Sequence, residues 1–224
     1  MAARQGKGSE RRRRPLFHRG VALRCGTRFE EEARALGFER IVGVDEVGRG
    51  ALCGPVVAGA VILGTEFDWS GLDDSKRLTR RQRERLAERI REGARAWAVE
   101  LADVAEIDRL NILRATRLAM KRAVLALAPP PEFILVDALA LPEVPLPQRA
   151  IVKGDALSVS IAAASVLAKV ARDAMMREWD LRHPGYGLAR NMGYGSEGHR
   201  EALHRLGPCA IHRLSFQGTQ PWLF

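Results

Sequence analysis

The stretch Ile41-Val42-Gly43-Val44-Asp45-Glu46-Val47-Gly48-Arg49-Gly50 decides how this chain reads. Its opening is short, apolar and rich in valine and isoleucine, the mark of a buried strand. Two carboxylates follow where the apolar run ends. Adjacent strand residues face opposite ways, so Glu46 can join Asp45 only if the strand stops there, and Gly48-Arg49-Gly50 supplies that break.

Working outward, Pro55 to Leu63 is a second apolar run and Ala96 to Leu101 alternates as a third strand. Phe133-Ile134-Leu135-Val136-Asp137 is a buried strand that again closes on a carboxylate. Arg149 to Val152 is a fifth, with Asp155 just beyond it. Thr79 to Gln82 carries a capping-box pattern, opening a helix with Leu86, Ile90, Ala94 and Trp97 at helical spacing. The arginines between Arg80 and Arg91 lie on its other faces, a solvated surface first and a nucleic-acid contact second. Asn111 to Leu127 predicts another helix, stopped by Pro129-Pro130-Pro131. A long helix follows from about Asp155 to Arg182, with Ile161 to Ser165 apolar nearly all round and therefore buried. Strands in a meander, then strands alternating with helices, predict an α/β fold: a mixed five-stranded sheet flanked by helices, with a helical C-terminal segment. Residues 1–37, which include Arg11-Arg12-Arg13-Arg14, read as a basic, flexible extension whose charge would aid nucleic-acid binding. Residues 38–216 read as the folded domain, and 217–224 as a tail.

If the first and fourth strands are parallel neighbours, Asp45 and Asp137 converge in the crevice beyond the strand ends. Crowded carboxylates repel one another by several kcal/mol, on the order expected at intermediate dielectric, and need a positive partner. Oxygen-rich ligation without cysteine suits Mg²⁺ or Mn²⁺. Two such ions about 4 Å apart clamp a scissile phosphate and activate water. Asp155 has a second reading, as a cap at the start of the long helix.

Composition agrees with a polyanionic partner: 36 Lys+Arg against 27 Asp+Glu give a formal charge of +9. Cys25, Cys53 and Cys209 are dispersed, with no Cys-x-x-Cys pair, which argues against a structural zinc site or a disulfide framework. His199 and His204 read as surface histidines. With no apolar run of membrane-spanning length, the expectation is a cytoplasmic protein with no membrane partner, acting as a monomer.

Asp45-Glu46-Val47-Gly48-Arg49-Gly50 with Gly54-Pro55-Val56-Val57-Ala58-Gly59-Ala60-Val61 resembles the opening signature of the type 2 ribonuclease H family. Asp74-Ser75-Lys76-Arg77-Leu78, Lys153-Gly154-Asp155, Ser160 to Ser165, Ala168 to Asp173, Gly193-Tyr194-Gly195 and His212-Arg213-x-Ser215-Phe216 follow in the family's order. The resemblance covers roughly residues 40 to 216. It implies a ribonuclease H-like fold and a catalytic, metal-binding set of Asp45, Glu46, Asp137 and Asp155. It also implies that Gly48-Arg49-Gly50 reads the 2′-hydroxyl of a ribonucleotide, and that Tyr194 packs against the next sugar. Lys76 matches a phosphate contact, with a turn lysine as the other reading. Ser165, Lys169 and Arg172 join the expected nucleic-acid-binding set, Lys169 equally as an ion-pair partner of Asp173. Asn191-Met192 departs from the family's His-Lys, and Ala51 stands where proline is common.

The implied substrates are RNA–DNA hybrids and DNA containing ribonucleotides, with a non-catalytic hybrid-binding protein as the alternative. The ending Gln220-Pro221-Trp222-Leu223-Phe224 resembles a sliding-clamp docking peptide, or else packs on the domain's own surface.

Overall fold

A computed structural model describes residues 25–220, apart from 73, 74, 76 and 77. The Arg11–Arg14 run, Lys76 and all of the docking peptide except Gln220 therefore lie outside the described residues. Five strands, β1 (Ile41–Val47), β2 (Val56–Ile62), β3 (Ala96–Ala102), β4 (Phe133–Asp137) and β5 (Gln148–Ile151), form one sheet in the order β3-β2-β1-β4-β5. The β1–β2 and β2–β3 pairs are antiparallel; β1–β4 and β4–β5 are parallel. This is the mixed sheet that the order of apolar runs predicts.

Alternation divides the sheet into two faces. Even-numbered Val42, Val44, Val56, Ala58, Ala60 and Ile62 pack with Ala115, Ala119, Met120 and Ala123 of α4 (Ile112–Leu125). Odd-numbered positions face α5 (Val159–Arg182), a 24-residue helix buried along Val159–Ala168. Two glycines let it come unusually close. A Cβ on Gly43 would lie 2.0 Å from the carbonyl carbon of Ser160, and one on Gly59 would lie 2.3 Å from the carbonyl oxygen of Ala164. The helix backbone thus rests directly on the strand backbones. On the outer side of α5, α2 (Arg80–Gly93) completes the layer with Leu86, Ala87 and Ile90.

Several local expectations change. The flexible extension does not run to residue 37: α1 (Arg28–Ala35) is ordered, and its buried Glu30 accepts hydrogen bonds from Ser158 Oγ at 2.6 Å and the Ser160 amide at 2.9 Å. Ser158, not Asp155, caps α5, because residues 154–156 form a separate 3-10 turn. The α2 face ends at Ile90; Trp97 belongs to β3. A short helix, α3 (Val104–Leu110), precedes α4, with its own capping box between Asp103 and Glu106. No helix among the described residues is long and apolar enough to cross a membrane.

Because the Gly43 and Gly59 contacts are backbone to backbone, neither can be relieved by moving a side chain. Gly43→Ala is expected to destabilise the protein by about 3 kcal/mol or more, the upper range for overpacking. Denaturant unfolding of that variant beside Gly50→Ala, where nothing lies within 4 Å of an added Cβ, checks the claim.

Candidate active site

The pairing of β1 with β4 ends at Val44–Val136, which leaves Asp45 and Asp137 side by side one step beyond it. Asp45 lies opposite Gly59, so its side chain turns toward α5, where Ser165 hydrogen-bonds it. Ser165 Oγ also meets Ser75 Oγ at 2.9 Å. Asp137 Oδ1 accepts the Gly154 amide at 2.7 Å, which ties the turn bearing Asp155 to the end of β4. Asp155 itself is buried.

Glu46 joins this group by a route other than the expected strand break. β1 continues through Val47 against β2, but beyond Val44 its β4 side is unpaired. The Glu46 carboxylate is thus open to the field of Asp137. Arg49 Nη1 approaches Glu46 Oε1 at 3.3 Å, while Oε2 is buried with no hydrogen-bond partner. Burial lifts the Asp45 carboxyl well above the usual carboxylate range; Glu46 adds to the rise, the Ser165 bond opposes it, and Asp137 contributes further. Burial also raises Glu46, against the pull of Arg49. An orphaned buried oxygen among mutually repelling acids fits a hard divalent cation, whose ligands are oxygens of this kind.

Beside the acids, two buried arginines hold residues 49–55, the segment that follows β1. Arg172 donates to the carbonyls of Pro55 (3.0 Å), Met192 (2.8 Å) and Cys53 (3.1 Å). Arg213 donates to Gly54 (2.8 Å) and Arg49 (2.9 Å). Both side chains are fully buried, so the expectation that Arg172 binds nucleic acid does not match its position; it holds the backbone after β1 instead. Burial lowers the Arg213 guanidinium to about 10, which leaves it charged at neutral pH. Asp108 of α3 anchors the segment carrying Arg213 by accepting the amides of Leu214 and Ser215, each at 3.0 Å.

Tyr194 sits at the rim, 38% exposed, its ring 5.6 Å from the Arg172 guanidinium, and it pairs with Ala51 in an isolated bridge. Asn191, where the family has a basic pair, shapes this turn: its side chain accepts from the Gly193 amide at 2.8 Å and donates to the Tyr186 carbonyl at 2.7 Å. Lys169 forms the ion pair with Asp173, at 2.6 Å. Sequence reading missed Arg213 and took His199 for a surface residue; His199 and His212 are in fact buried against each other.

A mixed β3-β2-β1-β4-β5 sheet with acids at the ends of two parallel central strands defines the ribonuclease H-like class. The ribonuclease HII family model matches residues 42–219. The chain is 50% identical to a ribonuclease HII of Syntrophotalea carbinolica over 195 residues, 87% of this chain and 93% of that protein. It is 55% identical to one of Anaeromyxobacter over 198 residues, 88% of this chain, while spanning 63% of that longer relative. Among solved structures, ribonuclease H2 of Pyrococcus horikoshii superposes with a TM-score of 0.69 at 27% identity, over 80% of this chain and 95% of that one. A ribonuclease HII solved in complex with PCNA, from Archaeoglobus fulgidus, has the same TM-score and coverage at 26% identity. The chain belongs to the ribonuclease HII family, and is an endonuclease that degrades RNA in RNA–DNA hybrids.

Asp45 is raised above the unfolded value near 3.9, so its ionisation costs stability. That cost is absent below the unfolded value and complete above the folded one. Asp45→Asn is therefore expected to melt higher than the parent at pH 7 in EDTA, by roughly 2–4 °C per kcal/mol relieved. The gain should shrink as the pH falls toward 4; a gain independent of pH would contradict the assignment.

Proposed function

We propose that this chain hydrolyses the phosphodiester on the 5′ side of a ribonucleotide, both within RNA–DNA hybrids and at single ribonucleotides embedded in duplex DNA. Water oxygen bonds to phosphorus, the bond from phosphorus to the preceding O3′ breaks, and 3′-hydroxyl and 5′-phosphate ends result. The observation that carries this reading is the convergence of Asp45, Glu46 and Asp137 beside the braced Gly48-Arg49-Gly50 loop, with one Glu46 oxygen buried and unpartnered.

In this reading Asp45, Glu46, Asp137 and Asp155 would hold Mg²⁺ or Mn²⁺, two ions when substrate is bound. Such ions, when bound, neutralise charge at the scissile phosphate and activate water. Ser165 orients Asp45, and the Gly154 amide orients Asp137, so each carboxylate meets its ligand in one rotamer. Gly48-Arg49-Gly50 lies against the minor groove and reads the 2′-hydroxyl, the group that tells RNA from DNA. Tyr194 packs on the sugar that follows. Lys76 contacts phosphate, whereas Lys169, engaged by Asp173, shapes the helix surface next to it. The segment Gln220–Phe224 docks on a sliding clamp, a reading supported by the PCNA complex of the Archaeoglobus relative.

Incision of a labelled duplex with one embedded ribonucleotide tests the reading. It is expected with Mg²⁺ or Mn²⁺ and absent in EDTA. Asp45→Asn and Asp137→Asn should fold yet lose more than the roughly 100-fold that an outer-shell partner of a metal is worth. Near-parental activity in either variant would remove the carboxylate assignment. Clamp pull-down that survives deletion of residues 220–224 would remove the docking segment.

A further inference from the structure

His199 and His212 are 0% and 2% exposed, and every ring nitrogen of the pair has a partner. The Tyr194 carbonyl can only accept, so His199 Nδ1, 2.9 Å away, carries a proton and its Nε2 is bare. The Cys209 amide donates to His212 Nδ1 at 2.9 Å, so that nitrogen is bare and Nε2 carries the proton. The two Nε2 atoms face each other at 3.1 Å, a donor on His212 meeting an acceptor on His199. One proton arrangement therefore satisfies the chain from the Cys209 amide through His212 and His199 to the Tyr194 carbonyl. Burial keeps both rings neutral, with His212 held down to about 4.

Cys53 lies within 4.8 Å of both, so the trio has the outline of a soft-metal site. The hydrogen bonds argue against that use. A metal would need both facing lone pairs, and the Cys209 amide commits His212 Nε2 to carrying a proton.

We infer that His212 and His199 are positioning residues that act through the Tyr194 carbonyl, holding the tyrosine at the rim of the nucleic-acid site. The inference rests on reading Tyr194 as the residue that meets the sugar. Its backbone is fixed on each side. The carbonyl takes His199 Nδ1–H and also the Ser196 amide at 2.8 Å, and the Tyr194 amide donates to the Asn191 carbonyl at 3.0 Å. Only the ring projects outward. Tyr186 packs against the His212 ring at 4.9 Å and closes the pair off from below. The relay thus joins the C-terminal segment at 209–212 to the rim without either histidine touching substrate.

Incision kinetics on the embedded-ribonucleotide duplex test this. His212→Leu is expected to lower kcat/KM at least tenfold, and His212→Gln, which returns a donor near the Nε2 position, to recover most of it. In a Tyr194→Ala background, His212→Leu should make no further difference. An equal loss in both backgrounds, or a glutamine variant as poor as leucine, overturns the proposal. Tyr194→Ala with parental activity would instead refute the reading of Tyr194, and the positioning role with it. Nitrogen-15 NMR of the unmutated protein gives a check free of folding defects. At neutral pH one buried histidine should be an Nδ1–H tautomer and the other Nε2–H; a protonated ring or two like tautomers would overturn the relay.

Discussion

Direct contact between the backbone of α5 and the glycines of β1 and β2 is the constraint on which the rest depends. Ordinary side chains hold packed layers well apart, about 10 Å between two stacked sheets. Here Gly43 and Gly59 remove that spacer, and α5 comes down beside the end of β1. Ser165 can then reach Asp45, and Arg172, two turns further along, can reach the carbonyls of the loop after β1. Glu30 of α1 fixes the start of the same helix through Ser158 and Ser160. One close packing event therefore locates both the acids and the loop.

The site built on that contact works against its own stability. Acids are gathered where burial and mutual repulsion disfavour their ionised forms, and one Glu46 oxygen is left without a partner. The surrounding framework absorbs this cost: two hydrophobic layers, capped helices and a sheet in which β2 is buried throughout and β1 as far as Asp45. Such a gathering of buried acids is what is expected when function and stability make opposing demands on the same residues.

Much of this was legible in the chain. Apolar runs closing on Asp45 and Asp137 marked two strands whose acids would converge if the strands were parallel neighbours, and the parallel β1–β4 pair meets that condition. Asp155 read two ways in the chain, as an acid just beyond the fifth strand and as a cap of the long helix; the separate turn at 154–156, with Ser158 as the cap, removes the second reading. Arg172 was expected in the nucleic-acid-binding set but is fully buried. Its helical neighbours Ala168 and Met176 are both buried and share its face, a signal available in the spacing. His199 is a similar case, on one face with Ala202 and Leu203. The histidine relay was not legible, since His199 and His212 come from different segments and only tertiary packing joins them.

The paired arginines behind the loop also carry information about assembly order. The carbonyl of Arg49 is held by a side chain 164 residues later, and those of Cys53 and Gly54 by side chains 119 and 159 residues later. All four acids precede Arg172 and Arg213 in the chain. A growing polypeptide therefore possesses Asp45, Glu46, Asp137 and Asp155 before it has either arginine that holds the segment after β1. Coupling that segment to Arg213 makes its final shape wait for the last part of the domain, so the loop is completed only when the C-terminal residues have been added.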